Sequence, residues 1–490
     1  MRRVVVVGHG MVGSRFAEDL VAAHPTVEVT VLGKEPVPAY NRVLLSSVVA
    51  GSKRPELLGI AGPAHPRVRV LTGVAAVDVD RARRLVVDGR GNAHPYDELV
   101  LATGSAARVP PIQGVAYDTG LVEGVFVLKD MADATGIVAA TQPGRRAVVL
   151  GAGVLGVEVA TGLARRGLAV RVVHLADRLM ERQLGWEASQ VAVAGLQRLG
   201  ITTHVGASVV GVTIRRGRLE AVRFGDGLEA SADLFVMCTG TVPETVLARR
   251  AGLSCDRGVV VDDDLRSPDD PHVHAIGDCA QPPTGATGLV AQGWQQAARL
   301  VDRLTDRDAT STTGATHDVV RVKAPGMSLV SMGVCGDFDR DDPRYRVLSL
   351  KDPMSGRYAE VVVTSGHLVG ATCIGDADVA ATLSALYTRA LPVPDDPALL
   401  LVRALAGGGG PASPAKRPDE LADDDRVCTC NSVSAGRIRD AVRGGCASVA
   451  DVAAATRAST GCGDCAGVVG ALVTATDTAA QDHTLVRSTS

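Results

Sequence analysis

The chain has 490 residues, of which 46% are hydrophobic, and its 51 basic and 54 acidic residues leave a net charge of −3. At roughly 100–200 residues per domain, this length predicts three or four domains with apolar cores, and the near-neutral charge gives no support for a nucleic-acid partner. No apolar run reaches the roughly 18 residues that a membrane helix needs, and the N-terminal segment turns too early to be a signal peptide. We therefore expect a cytoplasmic protein with no membrane partner, in which clustered cysteines bind metal rather than form disulfides.

The first predicted unit is a strand, a glycine-rich loop and a helix. Residues 2–7 are valine-rich, which is typical of a buried parallel strand. The loop that follows consists of Gly8, His9, Gly10, Met11, Val12 and Gly13. Its glycines stand where a tight turn, a close approach to pyrophosphate and helix–strand packing require them. A second strand is predicted over residues 27–32, and Glu35 after it is either the carboxylate that holds the ribose or an ordinary surface residue.

The same pattern restarts near residue 147. A strand over residues 148–150 precedes a second loop, and another strand is predicted over residues 170–173. The second loop consists of Gly151, Ala152, Gly153, Val154, Leu155 and Gly156. One such loop is a weak signal, but two loops after valine-rich strands indicate two dinucleotide sites. The expected carboxylate after the second loop is replaced by His174, which together with Arg178 suits a 2′-phosphate; a neutral His174 bonded to the ribose or to solvent stays equally open.

Two further motifs resemble the flavoprotein disulfide reductase superfamily, whose members bind two dinucleotides. Residues 96–105 resemble the strand by which the chain leaves the flavin domain, and residues 275–280 resemble the second FAD motif. In such proteins the aspartate of the second motif bonds the flavin ribityl chain. The resemblance implies that the following residues contact the cofactor: Ala102, Thr103, Gly104, Gly277 and Asp278. It also implies an FAD domain at residues 1–118 and 243–310 and an NAD(P) domain at residues 119–242.

Three shorter motifs resemble a narrower family, the flavoprotein part of bacterial assimilatory NAD(P)H nitrite reductase and the related electron-transfer subunit of assimilatory nitrate reductase. These motifs are Pro38–Ser46, Leu179–Leu184 and Gly288–Ala291. The resemblance covers residues 1 to about 475 and implies that Arg42 lies near the FAD phosphates, whereas its alternative is an ordinary surface arginine. The redox cysteines of the superfamily are missing, because the first cysteine is Cys238. We expect Cys279 to be a buried, inert thiol.

The rest of the chain divides into a small domain, a linker and a cysteine-rich segment. Residues 311–400 carry short strand patterns broken by Gly, Pro and Asp, which predicts a small α+β domain. Four glycines and a proline at 407–411 are typical of a flexible linker, which we place at residues 401–425. The acidic stretch 419–425 is most simply a solvated linker end, although a docking role stays open. We expect a last domain at residues 426–476 and a disordered tail at residues 477–490.

Four cysteines form two close pairs in that last domain, with 31 residues between the pairs. They are Cys428, Cys430, Cys462 and Cys465. Four thiolates commonly hold an iron–sulfur cluster, whereas structural zinc sites usually separate paired cysteines by two to four residues. The arrangement resembles the bacterioferritin-associated-ferredoxin-like domain, a small helical module with a [2Fe–2S] cluster, with zinc and a metal-free site as the alternatives. Two short helices separated by Gly444-Gly445 are predicted between the pairs, and Cys446 is expected to be a core residue.

Together these patterns predict an α/β fold with two Rossmann-like dinucleotide-binding domains for FAD and NAD(P), a small α+β domain and a small helical [2Fe–2S] domain. We expect an NAD(P)H-dependent FAD oxidoreductase that passes electrons through the cluster to a separate nitrate or nitrite reductase. Hydride transfer requires orientation rather than an acid or base, so no catalytic residue is assigned. Because the other six cysteines are scattered, we expect the chain not to reduce nitrite itself. The alternatives are a ferredoxin or rubredoxin reductase and a redox-sensing or iron-handling flavoprotein.

Overall fold

The computed structural model describes most of the chain. The described residues are 2–60, 62, 65–118, 120–285, 288–305, 318–405, 420–428, 433–461 and 465–475. The glycine run of the expected linker, the expected tail, Cys430 and Cys462 lie outside them. Within the described ranges, no helix combines the length and the hydrophobicity that crossing a membrane requires.

The first dinucleotide domain is built on a six-stranded sheet. From edge to edge its strands are Arg266–Ser267, Asp270–Ala275, Glu98–Leu101, Arg2–Val7, Val27–Gly33 and Val68–Thr72. All neighbouring strands run parallel except the first pair, which is antiparallel. Helices Met11–Ala23 and Val290–Leu304 pack together, and their apolar faces join the valine-rich core of the sheet. Residues that are far apart in the chain therefore share one sheet.

Shorter elements surround this sheet and connect it to the rest of the chain. An antiparallel sheet contains Ala76–Asp80, Leu85–Asp88 and Ala93–Pro95. Paired short strands are Ser105–Ala107 with Thr241–Pro243, Ala116–Tyr117 with Gly120–Leu121, and Val259–Val260 with Ala280–Gln281. Short helices are Leu45–Val49 and Val246–Arg250, and 3₁₀ turns are Arg42–Leu44, Pro55–Leu58 and Gly277–Cys279. The first of these strand pairs brings together two segments that are distant in the chain.

The second dinucleotide domain contains a fully parallel five-stranded sheet. Its strand order is Val125–Val127, Leu234–Met237, Arg146–Leu150, Ala169–Val173 and Thr202–His204. Its helices are Met131–Ala140, Val154–Arg165 and Trp186–Arg198. An antiparallel sheet of Val209–Arg215, Arg218–Phe224 and Glu229–Ser231 packs beside it. The central strands Leu234–Met237 and Arg146–Leu150 are almost entirely apolar and buried, as expected for a parallel sheet with both faces covered.

The small domain is an antiparallel sheet covered by two helices. Its strand order is Val320–Ala324, Met327–Gly333, His367–Ile374, Arg357–Thr364 and Arg346–Asp352. The helices are Ala377–Thr388 and Ala398–Leu405. Leu400 and Leu401 of the second helix are buried in the apolar core of this domain. Residues 401–405, which the sequence assigns to the linker, therefore belong to this helix.

The cysteine domain is small and mainly helical. It contains strands Arg426–Cys428 and Val433–Ser434 and helices Ala435–Arg443 and Val449–Thr456, and residues 466–475 are also helical. The side chains of Ser434 and Ser448 cap the two named helices. The two predicted helices, separated by Gly444 and Gly445, are thus confirmed.

Part of the acidic stretch is anchored to the cysteine domain rather than ending a free linker. The backbone carbonyls of Asp423 and Asp425 accept hydrogen bonds from the amides of Gly436 and Ala435, at 2.9 and 2.8 Å. The Asp423 carboxylate also pairs with Arg439 at 2.5 Å. These residues stabilise the start of helix Ala435–Arg443.

Candidate cofactor and electron-transfer sites

The first glycine loop leaves no room for side chains at two of its glycines. Gly8 has φ +121°, and a Cβ there would lie 2.1 Å from the carbonyl oxygen of Ala102. A Cβ on Gly13 would lie 2.1 Å from the carbonyl oxygen of Gly8. Gly10 precedes helix Met11–Ala23 without a side-chain cap, so the first amides of the helix face the loop. This is the geometry that receives a pyrophosphate.

His9 supplies an independent indication that a polar group belongs at this loop. His9 is half-buried, and its two ring nitrogens are shielded from solvent without a hydrogen-bond partner in the described part of the chain. Its side chain packs against the end of strand Val27–Gly33, where a Cβ on Gly33 would lie 2.7 Å from the His9 Cβ. Burial lowers the pKa of His9, which favours the neutral ring. A buried polar ring is normally satisfied by hydrogen bonding, so the loop fits a polar ligand such as a dinucleotide.

Glu35 and Arg42 lie side by side just beyond the loop. The Tyr40 hydroxyl donates a hydrogen bond to Glu35 at 2.8 Å, and the Arg42 guanidinium forms an ion pair with the same carboxylate. Arg42 stacks 4.8 Å from the centre of the Tyr40 ring and donates to the carbonyl of Lys129 at 3.3 Å. The two residues predicted for the FAD ribose and phosphates thus lie together and are fixed in orientation.

Asp278 lies in a polar cluster that the sequence indicated only in part. The Ser105 hydroxyl donates to the Asp278 carboxylate at 2.6 Å. The Lys129 ammonium lies 2.7 Å from the Ser105 oxygen and 3.6 Å from Asp278. Burial lowers the pKa of Lys129 although Asp278 opposes this shift. Lys129 lies at the end of strand Val125–Val127, and nothing in its sequence context distinguishes it from a surface lysine.

The second glycine loop repeats the geometry of the first. Gly151 has φ +101°, and its Cβ would lie 2.3 Å from the carbonyl oxygen of Cys238. A Cβ on Gly156 would lie 1.8 Å from the carbonyl oxygen of Gly151. Gly153 precedes helix Val154–Arg165 without a side-chain cap. The second loop therefore fits a second pyrophosphate.

His174 is held between this loop and a carboxylate. Its Nδ1 accepts a hydrogen bond from the amide of Ala152 at 3.2 Å, and its Nε2 lies 2.8 Å from Glu181. Burial opposes ionisation of Glu181, but the hydrogen bond from His174 keeps the pKa of Glu181 below its usual value. The sequence did not single out Glu181, which is the carboxylate that the structure brings to the end of this strand.

Arg178 forms ion pairs with two carboxylates. Its guanidinium lies 2.9 Å from Asp177 and also pairs with Asp337 of the small domain. A third contact runs to the carbonyl of Leu184 at 3.3 Å. Of the two interpretations that the sequence left open for His174, these contacts weaken the one in which Arg178 binds a 2′-phosphate.

Glu158 is a buried carboxylate at the meeting point of three domains. Its side chain is 2% exposed and accepts a hydrogen bond from Ser46 of the first dinucleotide domain at 2.5 Å. The backbone amide of Lys323 donates at 2.8 Å, and the Lys323 ammonium lies at 3.0 Å. In the sequence, only the position of this glutamate between Val157 and Val159 could have indicated that three domains meet here.

The cysteine domain brings two of the four predicted ligands together. Cys428 and Cys465 are both buried, and a hydrogen bond with Cys428, together with burial, raises the pKa of the Cys465 thiol. The amide of Ser459 donates to the Cys465 sulfur at 3.2 Å. Among the described residues no group of three potential metal ligands occurs; Cys430 and Cys462 lie outside them. A buried thiol pair with a donor aimed at sulfur suits an iron–sulfur cluster.

The other cysteines are consistent with packing roles. Cys279 is fully buried, and burial raises its pKa, as expected for an inert thiol. Burial also raises the pKa of Cys238 to about 12. Cys446 packs against the apolar core of the cysteine domain. The structure thus supports the expectation that Cys279 and Cys446 are packing residues.

Three family models match successive parts of the chain. A pyridine nucleotide-disulphide oxidoreductase model matches residues 2–299, and a rubredoxin NAD+ reductase C-terminal domain model matches residues 319–389. A BFD-like [2Fe–2S] binding domain model matches residues 426–474. These matches cover both glycine loops, the small domain and the four cysteines.

Curated relatives include a nitrite reductase and an electron transfer subunit of a nitrate reductase. The chain is 31% identical over 469 residues to an NAD(P)H nitrite reductase of Bacillus subtilis (strain 168), across 95% of this chain and 56% of that protein. It is 27% identical over 471 residues to the assimilatory nitrate reductase electron transfer subunit of the same organism, across 95% of this chain and 58% of that protein. The chain thus spans little more than half the length of these relatives.

A solved structure shares the fold of the dinucleotide and small domains. The covalent putidaredoxin reductase–putidaredoxin complex aligns with a TM-score of 0.70 at 23% identity, over 83% of this chain and 98% of that chain. At this identity the likeness shows the fold alone.

Proposed function

Because the chain belongs to the pyridine nucleotide-disulphide oxidoreductase family and carries a BFD-like [2Fe–2S] binding domain, we propose that it transfers electrons from NAD(P)H through FAD and the cluster to a nitrate or nitrite reductase. One observation carries the proposal. The same chain has two glycine loops in which a side chain would clash with the backbone, and a buried thiol pair in a separate domain. When bound, FAD and the cluster supply the conversion of a hydride into single electrons. The residues of the chain bind and orient, and we assign no catalytic acid or base.

The first dinucleotide domain is proposed to hold FAD. The amides at Gly10, Met11 and Val12 would face its pyrophosphate. They lie between Gly8 and Gly13, where a side chain would clash with the backbone. Glu35 and Arg42, fixed to each other by an ion pair, would contact the ribose and the phosphates. The second motif would contact the flavin side of the cofactor through Ala102, Thr103, Gly104, Gly277 and Asp278. Lys129 and Ser105, which are bonded together beside Asp278, join this set.

The second dinucleotide domain is proposed to hold the nicotinamide cofactor. Its pyrophosphate would face the loop formed by Gly151, Gly153, Val154, Leu155 and Gly156. His174 would lie at the adenosine ribose with Glu181 beside it. A carboxylate at this place repels a 2′-phosphate, which favours NADH over NADPH.

The cluster is proposed to be held by Cys428, Cys430, Cys462 and Cys465. Contact between Cys428 and Cys465 supports this set, as does the match of a [2Fe–2S] binding model to residues 426–474. A cytoplasmic location is proposed for the same reason, because cysteines that hold a cluster must stay reduced.

The acceptor is proposed to be the separate catalytic protein of an assimilatory nitrate or nitrite reductase. The names of the relatives support this choice, in particular the assimilatory nitrate reductase electron transfer subunit, which the chain matches over 95% of its own length. A ferredoxin or rubredoxin reductase is the second candidate, favoured by the rubredoxin NAD+ reductase match over residues 319–389. The cluster domain on the same chain argues against it, because a built-in cluster takes the place of a separate ferredoxin.

Removing the cluster domain tests the proposal. Cutting the chain after Ala406 should leave NAD(P)H–ferricyanide activity largely intact and abolish electron transfer to the reductase partner. In the full chain, Cys462→Ser should behave in the same way, since loss of one ligand destabilises the cluster, whereas the matched control Cys446→Ser should retain both activities. If the shortened chain reduces the partner at the wild-type rate, the cluster is not on the electron path and a redox-sensing or iron-handling role replaces the proposal.

A further inference from the structure

The cysteine domain touches the first dinucleotide domain through an arginine and two acids. The Arg457 guanidinium, just beyond helix Val449–Thr456, lies 2.5 Å from Glu18 and 2.7 Å from Asp19. Burial works against the charge of Arg457, but the bonds to the two acids raise its pKa. Glu18 and Asp19 belong to helix Met11–Ala23, which begins at the first glycine loop. This contact therefore ties the cysteine domain to the helix that would face the FAD pyrophosphate.

A buried amide makes the second contact. The Asn41 side chain donates from Nδ2 to the carbonyl oxygens of Thr460 and Gly461, at 2.5 Å each. Its Oδ1 accepts from the amide of Val43 at 3.0 Å, which fixes the orientation of the side-chain amide. Asn41 is 2% exposed, so both of its polar atoms are satisfied in a site that water does not reach.

These contacts lie directly on the segment that carries the proposed cluster ligands. Gly461 precedes Cys462 in the chain, and the amide of Ser459 donates to the Cys465 sulfur at 3.2 Å. On the other side, Asn41 is followed by Arg42, which pairs with Glu35. A short series of bonds thus joins the Cys465 thiol to the loop where FAD is proposed to bind.

We infer that Arg457 and Asn41 are positioning residues that dock the cluster against the flavin site. Docking of this kind is reversible, because its ion pairs are partly exposed: the side chains of Arg457, Glu18 and Asp19 are 24, 38 and 28% exposed. Exposed pairs are weak and are screened by salt. A weak contact suffices when both partners belong to one chain, since tethering raises their effective concentration. The inferred consequence for electron transfer rests on the proposed function, but docking itself does not.

The shape of the full-length protein tests docking without any turnover. Small-angle X-ray scattering at low salt should show a larger radius of gyration for Arg457→Glu than for wild type, because the ratio of docked to undocked protein falls by up to about fivefold for each lost ion pair. The matched control is Arg443→Glu in the same domain, where Arg443 pairs at 3.2 Å with Asp440 on an exposed helix face; its radius should stay at the wild-type value. Iron content and flavin absorbance report that each variant is folded.

A charge exchange gives the second half of the test. Combining Asp19→Lys with Arg457→Glu should move the radius of gyration back toward the wild-type value, because the pair is rebuilt with opposite signs. Wild type at high salt should approach the Arg457→Glu result, since the Debye length falls to about 3 Å at 1 M. If Arg457→Glu leaves the radius unchanged, or if Arg443→Glu changes it equally, the docking inference is overturned.

Single-turnover mixing with NADH separates this inference from the proposed function. Flavin bleaching should keep its wild-type rate in Arg457→Glu, while cluster bleaching should slow by the factor by which the docked fraction falls in the scattering experiment. An expanded protein with an unchanged rate of cluster bleaching would refute the positioning role alone. Absence of cluster bleaching in wild type would refute the proposed function and leave the scattering result standing.

Discussion

The junction at Glu158 allows a quantitative test of how the domains are held together. Glu158 is 2% exposed and has three partners, namely the Ser46 hydroxyl, the Lys323 amide and the Lys323 ammonium. Lys323→Met removes the ammonium and leaves a buried carboxylate with two neutral donors. Breaking a buried ion pair lowers the free energy of unfolding by about 3–5 kcal/mol. Because two hydrogen-bond donors to Glu158 remain, we expect a loss of about 3 kcal/mol here.

A thermal-unfolding series with FAD at fixed concentration measures this effect. At about 2–4 °C per kcal/mol, Lys323→Met should lower the midpoint of the transition that releases flavin by roughly 6–12 °C. The double variant Glu158→Leu with Lys323→Met removes both charges. It should be less destabilised than the sum of the two single variants by about 2 kcal/mol, because no buried charge is left unpaired.

An exposed pair between the same two domains provides the control. Lys351 lies 3.3 Å from Glu187, and their side chains are 35 and 54% exposed. Lys351→Met should change stability by less than about 1 kcal/mol. Strict additivity of the Glu158 and Lys323 effects, or an equal loss in Lys351→Met, would refute the claim that burial gives this ion pair its strength.

Four other outcomes are expected. Anaerobically purified protein should contain about two irons per chain with acid-labile sulfide; one zinc without sulfide would exclude the cluster. Gly156→Ala should abolish flavin reduction by NAD(P)H in stopped-flow mixing while FAD stays bound, because the new Cβ would lie 1.8 Å from a carbonyl oxygen. Glu181→Gln should lower the NADH-to-NADPH ratio of kcat/KM about fivefold, the effect of one screened like-charge contact; an unchanged ratio would place Glu181 away from the cofactor. Burial opposes ionisation of Glu98, but hydrogen bonds from His274 and Arg2 hold its pKa at about 2. The stabilisation that ionised Glu98 provides is therefore complete above pH 4.5 and is lost as the pH falls through about 2. The difference in free energy of unfolding between Glu98→Gln and wild type, measured with urea, should shrink over that range.

The glycine loops could be predicted from sequence because backbone geometry alone decides them. Gly8 must accept a positive φ and lie against the carbonyl of Ala102, and Gly13 must lie against Gly8. Only glycine fits such positions, so the pattern of residues reports the local structure. The short helices of the cysteine domain are predictable for a similar reason, because Ser434 and Ser448 are local caps.

Side-chain pairs between distant segments could not be predicted in the same way. Lys129 meets Asp278 across 149 residues of chain, and Lys323 meets Glu158 across 165. The residues next to a lysine in the sequence do not indicate which acid it will pair with, because the pairing depends on how whole domains pack. Arg178 illustrates the same difficulty, because its sequence position suits a phosphate and nothing near it in the chain indicates its ion pair with Asp337 of the small domain.

The predicted linker starts too early because its boundary, residue 401, lies six residues before the glycine run. The glycine run begins at residue 407, yet helix Ala398–Leu405 extends almost to that point. Leu400 and Leu401 join the core of the small domain, so the apolar residues before the glycines fold with the domain that precedes them. A linker placed at the glycine run itself would begin at residue 407, after the last buried leucines.

The polar side chains of the motif Pro38–Ser46 form hydrogen bonds with residues of other domains. Tyr40 accepts a hydrogen bond from the amide of Met131 in the second dinucleotide domain at 3.0 Å. Asn41 binds the cysteine domain, and Ser46 binds Glu158. One short loop thus contacts the domain proposed to bring in the hydride and the domain proposed to take electrons away. A substitution at any of these positions changes how two domains meet, which is a stronger constraint than the flavin site alone would impose on the segment.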